Sequence, residues 1–526
     1  MLLRNAFLFF TSLFFYYKTS GLFVFILIFS TLYGFFIGKK IPKASKRRTR
    51  KIYLTIGVSL NLLILCYFKY AYFFTDLHNS LFNSNYEIID YLAKWTNDLI
   101  GSNRFDASKI LLPVGISFYT FQNISYLVDV YRGKVEPVGN ILDFGFYTSF
   151  FPGLVAGPIV RANQFIPQLY RKFFLSRKQF GIAVFWILNG LAKKLILSDY
   201  LAVNFVDRVF DHPNLFTGFE NLSALFLYSL QVYADFSGYT DIAIGVAMLM
   251  GFYLPLNFNS PYKATNCGSF WRRWHISLST WLKDYLYIPL GGSKKGEIRT
   301  HINLVITMLL GGLWHGASWN FMIWGGLNGL GIIIFKVWRN MRKYARSILT
   351  GALFVTFVIL YFFFAHPIFM IGSVWFGVIF IGAFIDQLYS VIIPAKPVRW
   401  LNRGWSIFLT FVFITFTRLF FRSGSNLAPD EANEVAWSTA KNMVIRIGGK
   451  WQTELIPDIL YEYRFVFILF VTGMIIHWLP TRWKRWYRIN FAMLPVWLIG
   501  LIVVITVFVL YQFVTADLQP FIYFQF

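Results

Sequence analysis

Two histidines stand where an ionisable side chain is hard to explain unless it does chemistry. His275 lies in the run F-W-R-R-W-H-I-S-L-S-T-W-L-K-D-Y-L-Y-I-P-L-G-G at 270–292, and His315 in L-L-G-G-L-W-H-G-A-S-W-N at 309–320. Both runs lie in or beside strongly apolar stretches. An imidazole titrates near neutral pH and serves as a general base, and a polar group at bilayer depth marks a functional site by default. In a restricted, poorly solvated site the neutral, basic form is the favoured one. Around His315, Gly312 and Gly316 form a small-xxx-small pair, repeated by Gly325 and Gly329 on the next apolar run. Close helix packing accounts for these glycines; it does not account for the imidazole.

If 271–287 is one helix, Trp271, Trp274, Leu278, Trp281 and Tyr285 share a stripe, and Arg272, His275 and Ser279 share the adjacent one. An interfacial helix, with indoles at headgroup level and arginines on lipid phosphate, explains that stripe equally well. It leaves His275 unexplained, since Lys or Gln would serve an interface as well. Gln122, Ser125 and Asp129 share a helical face that must turn inward. The segment Y-A-D-F-S-G-Y-T-D at 233–241 sets Asp235, Asp241 and Gly238 inside a long apolar stretch, which reads as a broken helix lining a cavity. A polar packing network or an ion site is the competing account. His78, His212, His301, His366 and His477 lack ligand-like spacing and are assigned to loops or membrane boundaries. No P-loop, H-E-x-x-H, nucleophile elbow or paired C-x-x-C occurs, so an ATP motor, a zinc protease and an elbow-type hydrolase are disfavoured, and no metal site is expected.

The elements that must hold these residues are membrane helices. Of 526 residues, 57% are hydrophobic, 21% aromatic and only 14% charged, with mean hydropathy +0.54, whereas a soluble chain carries roughly a quarter charged residues. The net charge of +25 sits in short loops between apolar runs, the distribution of positive-inside topology and not of a nucleic-acid binder. Candidate spans are 2–17, 21–38, 52–72, 110–130, 141–159, 180–198, 221–254 (broken), 302–316, 319–336, 349–366, 371–394, 405–421, 463–479 and 491–515. The shorter ones read as re-entrant or in-plane pieces, leaving about 10–12 crossings of some 20 residues each. The basic loop at 39–51 belongs in the cytoplasm, as do 161–178, 291–300, 336–346, 396–403 and 482–488, while 211–220 and the amphipathic stretch 422–462 belong outside. This puts His315 near the tip of a 302–336 hairpin, deep in or across the bilayer. The first apolar run lacks a basic leader and a cleavage site and reads as a retained segment. Cys66 and Cys267 offer no disulfide framework. The whole chain, 1–526, reads as one all-α polytopic membrane domain.

The ordered set of runs resembles the membrane-bound O-acyltransferase family, in particular its alginate O-acetylation branch. The runs are L-L-P-V-G-I-S-F-Y-T-F-Q-N-I-S-Y-L-V-D-V-Y-R-G (111–133), F-F-P-G-L-V-A-G-P-I-V-R (150–161), Y-A-D-F-S-G-Y-T-D-I-A-I-G (233–245), N-F-N-S-P-Y (257–262) and the two histidine runs. The resemblance covers 50–420 as a catalytic core and fades toward the C-terminus; it also implies a further apolar helix ahead of 4–17. It implies helices around a central tunnel or funnel, with the catalytic histidine at His315 and a supporting one at His275. It implies acetyl-CoA as cytoplasmic donor, no bound cofactor, a bacterial inner-membrane location, an extracytoplasmic acetyltransferase or esterase-like partner, and a polysaccharide acceptor. The donor and tunnel set on this reading is Arg272, Arg273, Lys283, Trp274, Asp241, Gln122 and Asn320; lipid headgroups would use the three cations as readily. The alternatives are D-alanyl transfer from a carrier protein, a glycan or ion transporter with Asp129, Asp235 and Asp241 as its path, and a scaffold for a polymer-export complex.

Overall fold

The computed structural model describes residues 2–103, 105–392, 399–422 and 429–513. Every regular element among them is helical. That follows from long runs of Leu, Ile, Phe and Val in a setting where each backbone polar group must be satisfied within its own segment. Among the described residues, eight helices are long and apolar enough to cross a membrane, or nine if the bent pair Thr453–Glu462 and Arg464–Trp478 is one span. The chain is a multi-pass membrane protein.

The eight are Leu3–Lys43, Arg47–Phe82, Arg177–Asp211, Trp319–Asn340, Lys343–Phe364, Pro367–Ile392, Trp400–Arg422 and Val496–Phe513. The first joins two spans read separately from the sequence, through a short turn at Gly21–Phe23 where Gly21 takes φ +57°. The stretches 110–130, 141–159, 221–254 and 302–316 are not among them. The second of these shows why: a nine-residue helix, Ile141–Ser149, stops short of Pro152, which opens the next turn. The expected ends of 371–394 and 491–515, and parts of 396–403 and 422–462, lie outside the described residues. Within the last stretch, Pro429–Gly448 forms one helix.

The described residues fall into two compact units, Met1–Ile187 with Tyr239–Leu256, and Leu188–Gly238 with Asn257–Phe526. The first packs around phenylalanines; Phe165 stacks on Phe252 at 5.3 Å and Phe146 meets Phe252 edge-on, also at 5.3 Å. Its helix Ile116–Tyr131 is buried on nearly all sides, so Gln122, Ser125 and Asp129 do turn inward, but so do their neighbours. Asp143 is held by Asn5 at 2.8 Å and by the Tyr170 hydroxyl at 2.9 Å.

One expectation about shape is corrected. The stretch around 233–241 does not break: Gly218–Leu249 is one helix of 32 residues. Gly238 serves close packing, since a Cβ there would stand 2.8 Å from the Gly190 carbonyl oxygen. Asp235 is neutralised in place by Lys194 at 2.7 Å, and Lys194 also holds Asp199 at 2.8 Å. A carboxylate with a cation beside it does not require the helix to open.

Candidate active site

The site is built in the second unit on the hairpin Glu297–His315 and Trp319–Asn340. The two helices meet through glycine. A side chain at Gly312 would fall on the Phe321 carbonyl oxygen, and one at Gly325 on that of Met308. His315 is the last residue of the first helix, at the hairpin tip as expected, and is 3% exposed.

His275 arrives from a different construction. The segment 271–287 is not one helix: Cys267–Trp271 and Ile276–Leu282 are separate short helices, followed by a π turn at Lys283–Tyr287. The continuous double stripe is therefore corrected. His275 sits in the break as the N-cap residue, at φ +41°, ψ +56°, a left-handed conformation that costs a non-glycine residue energy. Asn257 holds that turn. Its carbonyl accepts from the Ile276 amide at 3.0 Å, and its Oδ1 from the Ser277 hydroxyl at 2.6 Å and amide at 3.3 Å. Trp274, Leu278 and Trp281 are buried in protein, so they do not form a headgroup belt.

The fold brings the two imidazoles together. Their centroids are 6.3 Å apart, at an interplanar angle of 65°. Aromatic rings enclose them: Phe236 lies 4.7 Å from His275, while Trp314, Trp324 and Phe421 lie 5.0, 5.1 and 5.4 Å from His315. His275 is fully buried, and burial pushes its pKa down from 6.5 to about 3. It is a neutral imidazole at physiological pH. A cavity of about 150 Å³ reaches His315; its wall includes Trp324, Gly311, Gly312, Thr307 and Lys283, and is almost wholly apolar.

The remaining expected residues divide. Lys283 is exposed and lines the same cavity as His315. Arg272 is exposed, and Arg273 donates to the Asn259 carbonyl at 3.0 Å. Trp274 packs beside the centre, 6.4 Å from Phe236. Asn320 turns away from that cavity, donating to the Phe420 carbonyl at 3.0 Å and lining a second cavity of about 210 Å³ with Trp319 and Trp437. Gln122 and Asp241 are buried members of the first unit.

Sequence reasoning gave no site role to Asn257, Phe421, Arg418 or His477. His477, assigned to a loop or boundary, is 3% exposed in the last turn of Arg464–Trp478 and accepts from the Tyr262 amide at 3.2 Å. Only Asn257 carried a signal, as a polar residue just ahead of the first histidine run. Arg418 and Phe421 are read as part of the apolar span 405–421 until the fold shows their neighbours.

Both histidines fall within one matching segment. Residues 137–375 match the membrane-bound O-acyltransferase family. Similar proteins include two named probable alginate O-acetylase. One, from Pseudomonas putida, is 43% identical over 58% of this chain and 59% of its own length. The other, from Pseudomonas syringae pv. tomato, is 40% identical over 68% of this chain and 66% of its own. A peptidoglycan O-acetyltransferase of Helicobacter pylori is 34% identical over 63% of this chain and 64% of its own length. The chain thus spans between 59% and 66% of the length of these relatives.

Proposed function

We propose that this chain is a membrane O-acyltransferase that moves an acetyl group from acetyl-CoA toward O-acetylation of an extracytoplasmic polysaccharide. The observation that carries the reading is the His315 imidazole in the wall of an apolar cavity, 6.3 Å from a second buried imidazole, within the segment that matches the acyltransferase family. The names of the alginate and peptidoglycan relatives support acetyl as the group moved and a glycan as its destination.

In this reading the neutral His315 takes the proton of an acceptor hydroxyl as that oxygen attacks the thioester carbonyl carbon. The carbonyl electron pair moves to oxygen, then returns as the carbon–sulfur bond breaks. The thiolate leaves with the proton His315 had taken, and the imidazole is neutral again. A positioned base of this kind is worth typically 10²–10⁴-fold. His275 orients His315 or the carbonyl from the opposite side, and the aromatic enclosure keeps out water that would hydrolyse the thioester. Lys283, exposed on the cavity that His315 lines, is placed to meet a donor phosphate, with Arg272 a further cation nearby in sequence. The setting is the bacterial inner membrane, with an extracytoplasmic esterase-like partner as the immediate or final recipient.

The test uses purified chain in lipid nanodiscs with acetyl-CoA and a glycan acceptor, following thiol release and acetyl ester together. Wild type consumes thioester, and His315→Ala loses at least about 10²-fold of that rate while remaining inserted. Equal rates in the two proteins would remove His315 from the mechanism.

A further inference from the structure

Four basic residues of the second unit gather around a single turn. The helix Arg464–Trp478 stops there, and Pro480 leads into the next helix, Thr481–Met493. Lys484 donates to the His477 carbonyl at 2.7 Å and to the Ser260 hydroxyl at 3.0 Å, and Lys263 donates to the Leu479 carbonyl at 2.8 Å. Arg273 is tied to the residue before Ser260, donating to the Asn259 carbonyl at 3.0 Å. Arg403 acts electrostatically on Lys263 from a spanning helix. None of these four cations has a carboxylate within ion-pair distance among the described residues.

The oxygens that meet the first three are neutral, so the positive charge stays unbalanced. Burial and the nearby Lys263 and Lys193 push the Lys484 pKa down from 10.5 to about 8, the direction that crowding of like charges produces. An ammonium carries three N–H donors; Lys484 spends two of its own and Lys263 one. Ser260, which receives Lys484, is held at φ +45°, a strained backbone of the kind that gathers at ligand clamps. An anion with several oxygens satisfies the remaining donors and the charge together.

The helix that carries Lys484 indicates where such an anion comes from. Thr481–Met493 holds Arg482, Lys484, Arg485 and Arg488 within 13 residues, too many charges for it to cross a bilayer. Its Trp483 and Trp486 are 54% and 67% exposed, and indoles flanking a span sit at headgroup level. Such a helix lies in the plane of the interface. Basic pockets between helices on the cytoplasmic side, where 396–403 and 482–488 belong by their charge, take anionic headgroups.

We propose that Lys263 and Lys484, with Arg273 and Arg403, form a binding site for the phosphate headgroup of an anionic phospholipid. A zwitterionic headgroup carries its own cation and brings no net negative charge to the cluster. The site is independent of the acyl-transfer reading.

The experiment titrates the full chain in detergent with short-chain phosphatidylglycerol and, separately, phosphatidylcholine, counting bound lipid by native mass spectrometry. Wild type binds phosphatidylglycerol at least about tenfold more tightly than phosphatidylcholine. Lys263→Gln and Lys484→Gln each lose about fivefold in phosphatidylglycerol affinity, the worth of one cation at an anionic surface, and bind phosphatidylcholine as wild type does. Arg485→Gln, an exposed position on the same helix, loses less. Should Lys484→Gln fail to fold, Arg403→Gln, at an exposed side chain of another helix, carries the same comparison. Equal binding of the two lipids by wild type overturns the site, as does a loss in Arg485→Gln as large as that in Lys484→Gln, which marks a general surface-charge effect. Displacement of phosphatidylglycerol by CoA overturns it too, because the phosphate held there is then that of a soluble nucleotide.

Discussion

His275 and His315, 40 positions apart in the chain, present their rings 6.3 Å apart at 65°. One is the terminal residue of a regular helix; the other is in a strained turn between two short ones.

The first prediction separates their roles. His315→Ala loses about 10²–10⁴-fold in turnover if it is the base. His275→Gln, which keeps a hydrogen-bonding side chain of similar size, loses less and does so with a change in KM. Turnover measured with acetyl-CoA for both variants checks this; a larger loss at His275 would reverse the assignment.

The second concerns pH. The folded His275 stays neutral down to about pH 3, while in the unfolded chain it takes a proton below about 6.5. Between those values the unfolded state binds more protons, so stability rises with pH and falls on acidification. From pH 6.5 to 5 this group alone costs up to about 2 kcal/mol at 1.36 kcal/mol per unit. Thermal unfolding in detergent should show a steeper acid loss in wild type than in His275→Gln, and parallel curves would count against a buried neutral imidazole.

The third tests the hairpin. Gly312→Leu sets carbon atoms onto the Phe321 carbonyl, and overpacking of this kind costs about 1–3 kcal/mol, with more where the obstacle is backbone. The melting temperature of the variant should fall. An unshifted melting temperature would mean the helices are not in contact there.

The fourth tests the turn. Asn257→Ala removes the acceptor of two Ser277 bonds and should destabilise by about 1–3 kcal/mol, since it leaves a buried amide unpaired. If the Asn257–Ser277 contact positions His275, turnover falls further than stability explains, and Asn257→Asp recovers part of it. Wild-type turnover in Asn257→Ala would show that the turn holds its shape without that side chain.

The fifth concerns Asp207 and Arg422, paired at 2.8 Å. Breaking one partner of a mostly buried pair costs about 3–5 kcal/mol, and replacing both with apolar residues costs much less. A double-mutant cycle on Asp207→Ala and Arg422→Met, read by chemical denaturation, should give a coupling of opposite sign to the single losses.

The amino-acid sequence by itself determined the helical membrane architecture and the hairpin carrying His315, and it singled out the two histidines as the candidate centre. These are consequences of composition, of 3.6-residue periodicity and of glycine spacing, all local in the chain. It misjudged 233–241, because an acidic residue and a glycine in an apolar helix look the same whether they line a break or meet Lys194 and the Gly190 carbonyl. It misjudged 271–287, because the pattern of Trp and Leu is equally helical on either side of a left-handed residue, and φ at His275 is set by Asn257, 18 positions away. The surroundings of Arg418, Phe421 and His477 were not legible for a related reason. Whether a buried polar group has a partner is a property of neighbours contributed by other helices, and only the packed tertiary structure decides who those neighbours are.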